Sequence, residues 1–227
     1  MSLALVTYAD EKYQDFQKAL IDKAKSIGIN CCYHYRPSHI DKLFYENNKA
    51  ILDCERGAGY FLWKPYFILQ TLLEMDEGDI LLYVDCGDDF IMPDALKLRK
   101  YLTETMNNEW ILLTRGGYKN KYWTKRDCFY LLNCDEEKHT EAIQLEAGII
   151  VVKKCDKATS FISEWFALCQ IPHLINDDFI TGFPNYEGFQ EHRHDQSLLS
   201  IVSIKHNIPA TDCMRQFIRC NVNQPVK

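Results

Sequence analysis

Short apolar runs and amphipathic stretches alternate along this chain, and their order predicts an α/β fold. Residues 3–8 form a nearly unbroken apolar run of strand length, the pattern of a strand buried on both faces. Tyr13, Phe16, Leu20, Ala24 and Ile27 then recur at helical spacing, and Gly28 ends that helix. Residues 29–33 read as a second strand. Residues 38–52 read as a helix capped by Ser38, and residues 61–75 as another with Pro65 in its first turn. A strongly apolar strand over 79–84 runs into the acidic turn Asp85-Cys86-Gly87-Asp88-Asp89. A helix over 94–106, a strand over 110–114 and a loop over 115–121 follow. Further on come a helix over 123–132, a strand over 145–152 and a helix over 160–169. Residues 174–191 are irregular, and a last helix over 195–206 precedes a short strand over 208–211.

Strands and helices alternating in this way predict one domain over residues 1–227. Its expected architecture is a mixed, mostly parallel central sheet flanked by helices on both faces. Ligands of such sheets bind beyond the carboxyl ends of the strands. The turns after residues 8, 84 and 114 are therefore the places to look for chemistry.

Composition narrows the classes. Of 227 residues, 47% are hydrophobic and 26% charged, which is globular and neither disordered nor fibrous. The 26 basic and 32 acidic residues leave a formal charge of −6, which argues against nucleic acid as a partner. A small phosphorylated ligand needs only one or two well-placed cations and stays open. None of the ten cysteines forms a Cys-x-x-Cys pair, so no zinc ribbon or redox motif is indicated. Most sit in apolar runs and read as free thiols of a reducing cytosol, with a disulfide-bonded secreted domain as the alternative. The apolar stretch at residues 3–6 is too short for a signal peptide, and no run is long enough to span a bilayer. The expectation is a cytoplasmic protein without a transmembrane segment.

Five polar constellations carry candidate chemistry. Asp85 and Asp88, on the turn ending the apolar strand, have the hard oxygen donors a divalent cation prefers; the alternative is an acidic turn capping the helix near Asp94. Lys64, in Trp63-Lys64-Pro65-Tyr66, is a lone cation in an aromatic setting. It reads either as a phosphate contact at a helix start or as a snorkelling lysine. Glu146-Ala147-Gly148 opens a strand with a carboxylate and two small residues, which permits close ligand approach. His194-Asp195-Gln196-Ser197 opens the last helix; a helix cap at Asp195 is the simpler reading but leaves the density of polar groups unexplained. Trp123, with Lys125 and Arg126, suits stacking of a sugar or base, or plain core packing.

The order of these pieces resembles nucleotide-sugar glycosyltransferases of the GT-A type. The likeness is to small enzymes of bacterial surface-polysaccharide clusters and large DNA viruses, and more distantly to glycogenin-like and blood-group-like retaining enzymes. Lys64 stands where those families carry a basic residue before the metal strand. Tyr83-Val84-Asp85-Cys86-Gly87 stands at their Asp-x-Asp motif, and Glu146-Ala147-Gly148 matches two residues of their Asn-Ala-Gly. His194-Asp195-Gln196-Ser197 matches their late motif beneath the reactive carbon. Gly87 replaces the second Asp of Asp-x-Asp, and a C-terminal metal-binding His has no clear counterpart.

The resemblance implies a metal-dependent transfer of sugar from a UDP-sugar to a glycan or glycoconjugate acceptor. Mn²⁺ or Mg²⁺ would sit at Asp85 and Asp88. Thr7, Tyr8 and Ala9 would hold the uridine, with Tyr8 stacking on it, and Lys64 would contact the diphosphate. Glu146, Ala147, Gly148 and Asp195 would bind the donor sugar, and His194 and Gln196 would face its anomeric carbon. Trp123, Lys125 and Arg126 would line the acceptor side. Gln196 stands where blood-group-like enzymes carry Glu, and an amide is a poor nucleophile, so retention without a covalent intermediate is expected. Two rivals remain at this stage. One is a haloacid-dehalogenase-like phosphatase with Asp85 as nucleophile; the other is an inactive fold that only binds nucleotide or glycan.

Overall fold

The computed structural model describes residues 1–220. A six-stranded sheet organises them. It contains β1 (Leu3–Tyr8), β2 (Cys31–Tyr35), β3 (Ile80–Val84), β5 (Ile111–Lys119), β6 (Ile143–Lys153) and β7 (Ala210–Thr211), in the order β2-β1-β3-β6-β5-β7. A separate two-stranded ribbon pairs β4 (Asp89–Phe90) with β8 (Ile218–Arg219). Strands β1, β2 and β3 are mutually parallel, as are β5 and β7, while β6 runs antiparallel to both of its neighbours. The mixed, mostly parallel sheet read from the sequence is present.

Five longer helices cover the sheet: α1 (Gln14–Ser26), α2 (Trp63–Glu74), α3 (Leu98–Thr105), α4 (Asp156–Cys169) and α5 (His194–Lys205). Alternate residues of each central strand point to opposite faces. Val6, Leu81, Tyr83, Ile150 and Val152 pack with α2, α4 and α5; Leu5, Leu82, Val84, Ile149 and Val151 pack with α1 and α3. That double burial is why these strands read as unbroken apolar runs rather than alternating ones.

Several local expectations change. The helix over 38–52 is a 3-10 turn and two short helices, and its cap is Asp41, whose Oδ1 accepts from Phe44 N at 2.9 Å, rather than Ser38. The loop over 115–121 is instead the continuation of β5 to Lys119, because β6 reaches back to Ile143 and pairs with it across a bulge. The helix over 123–132 is split at the extended Thr124. The residue at the N-cap of the segment near Asp94 is Pro93, which provides no side-chain cap, rather than a residue of the acidic turn. Nor is Asp195 a cap, since α5 begins one residue earlier at His194. No helix among the described residues is long and apolar enough to cross a membrane.

Candidate functional site

The antiparallel course of β6 makes the site. Val84 at the end of β3 pairs with Ile149 in the middle of β6, so Glu146-Ala147-Gly148, which lies inside β6 rather than opening it, comes beside Asp85 at the carboxyl edge of β3. Asp85 N donates to Gly148 O at 2.9 Å and Asp88 N to Asp85 O at 2.9 Å, closing the acidic turn over Gly148. A Cβ added at residue 148 would lie 3.2 Å from Asp85 Oδ2 and 3.2 Å from Asp88 Oδ2. Both carboxylates thus converge on the space a side chain would fill, and glycine keeps it open.

The other oxygen of Asp85 faces inward. Oδ1 accepts from Tyr83 Oη at 2.5 Å and lies 3.2 Å from Lys64 Nζ. Lys64 is 3% exposed, and its ammonium also donates to Ala147 O at 3.1 Å and pairs with Asp195 Oδ2 at 3.5 Å. Phe61 and Tyr83 present their rings to it, each with its centroid 5.4 Å from Nζ. Burial alone would lower the pKa of this ammonium, but Asp195 and Asp85 more than offset it and leave it above the ordinary lysine value. Asp195 is fully buried. Burial pushes its carboxyl up to about 7 against the pull of Lys64, and Asp85 adds to the rise. Lys64 therefore clamps two carboxylates from separate elements, and its donors are spent on protein oxygens.

The α5 start is anchored from below. Trp165 Nε1 of α4 donates to Asp195 O at 2.8 Å. Gln196 Nε2 donates to Gln144 Oε1 at 2.9 Å, and Gln196 Oε1 accepts from Ala147 N at 3.4 Å. His194 is buried with φ +49°, its Nδ1 2.7 Å from Ile175 O and its Nε2 without a hydrogen-bond partner. Burial pushes its imidazole down to about 4. Its ring rests on Tyr60 and Phe61, with centroids 4.8 and 6.1 Å away. Those two residues belong to a run of five, from Gly57 to Phe61, that all have positive φ. Three of the five are not glycine, and each such residue costs about 1–2 kcal/mol. The left-handed turn sets the entry into α2, where Lys64 N donates to Phe61 O at 2.9 Å.

The remaining expected residues divide. Thr7, Tyr8 and Ala9 end β1 at the same edge of the sheet, but all three are buried. Tyr8 stacks on Trp63 with centroids 3.9 Å apart, so its ring is packed within the protein rather than offered to a base. Lys125 is also buried: its ammonium donates to Asn176 O at 2.7 Å and Asp178 O at 2.8 Å, which ties down the 176–178 segment. Arg126 Nε donates to Asp135 Oδ2 at 2.9 Å, and its guanidinium lies over Tyr186. Trp123 lines a cleft with Tyr118, Tyr122 and Tyr186, and its carbonyl oxygen accepts from Gln144 Nε2 at 3.2 Å.

Sequence reasoning missed Arg215 and Cys220. Arg215 Nη2 donates to Glu146 Oε1 at 2.7 Å and to Arg115 O at 2.8 Å. Cys220 Sγ lies 3.6 Å from Glu146 Oε2; burial, with Asp88 and Glu146 nearby, pushes its thiol up to about 12. Both residues follow the last strand of the sheet in short irregular structure, and no local pattern marks them.

Among the described residues, no group of three or more His, Cys, Asp or Glu side chains comes together as a metal site. Asp85 and Asp88 form a pair only. Two convergent carboxylate oxygens over an open glycine suit a hard cation that takes its other ligands from phosphate.

No family model matches the chain, and no curated protein is significantly similar to it in sequence. Solved structures are similar in fold. Mouse xyloside xylosyltransferase 1, apo form, aligns over 94% of this chain and 86% of its own, with TM-score 0.50 and 10% identity. Core-mannan synthase A from Aspergillus fumigatus, in its Mn/GDP form, aligns over 97% of this chain and 75% of its own, with TM-score 0.52 and 7% identity. A glycosyltransferase involved in glycosylation of the major capsid of PBCV-1 also matches, at TM-score 0.42 and 10% identity over 74% of this chain and 67% of its own. The chain has the α/β fold of glycosyltransferases, as the resemblance in the motifs implied.

Proposed function

We propose that this protein is a metal-dependent glycosyltransferase that moves a sugar from a UDP-sugar to a glycan or glycoconjugate acceptor with retention. The observation that carries the reading is the convergence of Asp85 and Asp88 on Gly148, with Lys64 joining Asp85 to Asp195 behind them. A carboxylate pair at the carboxyl end of a central strand, backed by a third, buried carboxylate, is a site built for a diphosphate and its counter-ion. The fold neighbours favour transfer of a sugar over phosphate hydrolysis.

Asp85 Oδ2 and Asp88 Oδ2 would hold Mn²⁺ or Mg²⁺, which when bound supplies Lewis-acid stabilisation of the departing diphosphate. The protein's own groups do the rest. Lys64 orients Asp85 through Oδ1, which leaves Oδ2 facing the ligand space. Arg215, half-exposed and paired with Glu146 at 2.7 Å, would be a cation at the edge of the donor site. Gln196, fixed by Gln144 and Ala147 N, presents its amide toward the anomeric carbon. In the reaction the bond from that carbon to the diphosphate breaks and a bond to the acceptor hydroxyl oxygen forms. The hydroxyl proton passes to the departing diphosphate.

Titration calorimetry of UDP, GDP and CMP, each with Mn²⁺ and with EDTA, tests the reading. UDP should bind only with metal, and Asp85→Ala should abolish that binding while the fold stays intact. Undiminished affinity in the variant would remove the metal assignment, and binding of no nucleotide would remove the transferase reading.

A further inference from the structure

A cleft of about 710 Å³ opens between residues 118–123 and 186–190. Its volume falls in the range of specific small-molecule sites and exceeds what one sugar ring requires. Two backbone bonds clip its walls together: Gln190 N donates to Tyr122 O at 2.8 Å and Arg193 N to Trp123 O at 3.0 Å. Aromatic rings dominate the lining, with Tyr118, Tyr122 and Trp123 from one wall and Tyr186 from the other. Gly188 faces Tyr122 at φ +84°, and a Cβ there would lie 3.0 Å from the ring, so the second wall is kept free of side chain at that point.

The cations in and around the cleft are already paired. Lys121 Nζ pairs with Glu141 Oε1 at 2.5 Å, and Arg193, whose guanidinium lies over the Trp123 ring at 4.4 Å from its centroid, pairs with Glu191 at 2.8 Å. Glu187 adds a carboxylate to the lining. An anionic ligand would therefore find no advantage here. Trp123 Nε1 is a buried donor with no acceptor in the protein. Flat aromatic faces beside polar edges and an unmet N–H suit a ligand with apolar C–H faces and many hydroxyls.

The cleft is joined to the donor side by an unbroken chain of contacts. Trp123 O accepts from Ser197 Oγ at 2.8 Å and from Gln144 Nε2 at 3.2 Å; Gln144 Oε1 accepts from Gln196 Nε2, and Gln196 Oε1 accepts from Ala147 N. We infer that this cleft is the subsite for a neutral oligosaccharide, holding the part of the acceptor that lies away from the reacting hydroxyl. Its role in transfer rests on the glycosyltransferase reading, but glycan binding in the cleft can be measured without it.

The test is saturation-transfer NMR on the full chain with four neutral tetrasaccharides (malto-, cello-, manno- and xylotetraose), the matching monosaccharides and a sulfated tetrasaccharide. At least one neutral tetrasaccharide should bind at millimolar concentration and more tightly than its monosaccharide, while the sulfated probe should not compete. Tyr118→Ala, at a ring that is 63% exposed and free to change without loss of core, should weaken that binding about tenfold. Failure of every neutral probe, preference for the sulfated one, or unchanged affinity in Tyr118→Ala would each overturn the inference. Nucleotide calorimetry on the same sample separates the two readings. Tetrasaccharide binding without nucleotide binding keeps the glycan cleft and removes the transferase; the reverse keeps the transferase and removes the cleft.

Discussion

Lys64 Nζ lies 3.5 Å from Asp195 Oδ2, and both side chains are buried. The two residues are far apart in sequence and come from different helices, so their contact locks α2 to α5 directly behind the acidic turn. Removing one partner of a buried pair leaves an uncompensated charge and costs about 3–5 kcal/mol. Lys64→Met should therefore lower stability by about 3 kcal/mol at neutral pH. Lys64→Met combined with Asp195→Asn should recover part of that loss, because no buried charge at 195 is then left unpaired. Urea midpoints of the two variants decide it, and a double variant no more stable than Lys64→Met would contradict the pairing.

The same region fixes a pH dependence. Burial pushes His192 well below the usual imidazole range and His194 down to about 4. The unfolded chain protonates both below pH about 6.5, whereas the native one does not, so stability falls as pH falls through that window. Asp195 acts in the opposite sense. Its carboxyl, pushed up to about 7, takes a proton in the native state that the unfolded state takes only near 3.9. These two imidazoles against one carboxyl leave a net loss of at least about 1.4 kcal/mol per pH unit between about 6.5 and 5, and His139, also lowered by burial, adds to it. Asp195→Asn should steepen the slope to at least about 2.7 kcal/mol per unit. Denaturation curves at several pH values read both slopes, and equal slopes would refute the raised carboxyl.

Gly148→Ala puts a methyl group between Asp85 Oδ2 and Asp88 Oδ2. At 3.2 Å from each oxygen it forces the carboxylates apart by a few tenths of an ångström. Mn²⁺-dependent nucleotide affinity should fall about tenfold, with little change in melting temperature. A loss of stability with affinity retained would make Gly148 a packing residue only.

Gln196→Ala should lower turnover more than donor affinity, because Gln196 is held by Gln144 and Ala147 N rather than by the acidic turn. An effect confined to affinity would place it with the donor's binding groups instead.

In the left-handed turn, Ala58 has φ +49° and little side chain to lose. Ala58→Gly removes steric strain of about 1–2 kcal/mol but loosens the unfolded chain by about 0.4–1 kcal/mol. A net gain of about 0.5 kcal/mol is expected, read as a small rise in the urea midpoint. Tyr60→Gly should lose stability despite the same relief, since the Tyr60 ring covers His194.

The alternation of strands and helices was legible because each central strand is buried on both faces, while α1, α3 and α4 each bury one face. Those constraints act locally and leave apolar runs or a 3.6-residue period. Asp85, Lys64, Glu146 and His194 to Gln196 were legible as candidates because charged groups cluster beside apolar runs at the element ends where ligands of such sheets bind. Distance in the fold was not legible. A start of strand at Glu146 belongs to the opposite edge of a parallel sheet; only the reversed course of β6 brings it to Asp85. The roles of Lys64 and Tyr8 also changed on folding: the ammonium is consumed by Asp85, Asp195 and Ala147 O, and the ring by Trp63. Arg215 reaches Glu146 across 69 positions from an irregular segment, a contact no periodicity encodes. The sequence by itself determined the layers, the strand ends and the candidate chemistry, because those follow from burial and backbone geometry over a few residues. Which charges meet, which are spent on the protein and which remain for a ligand was decided by tertiary structure alone, because electrostatic pairing depends on separations of a few ångströms between elements that the chain order does not fix.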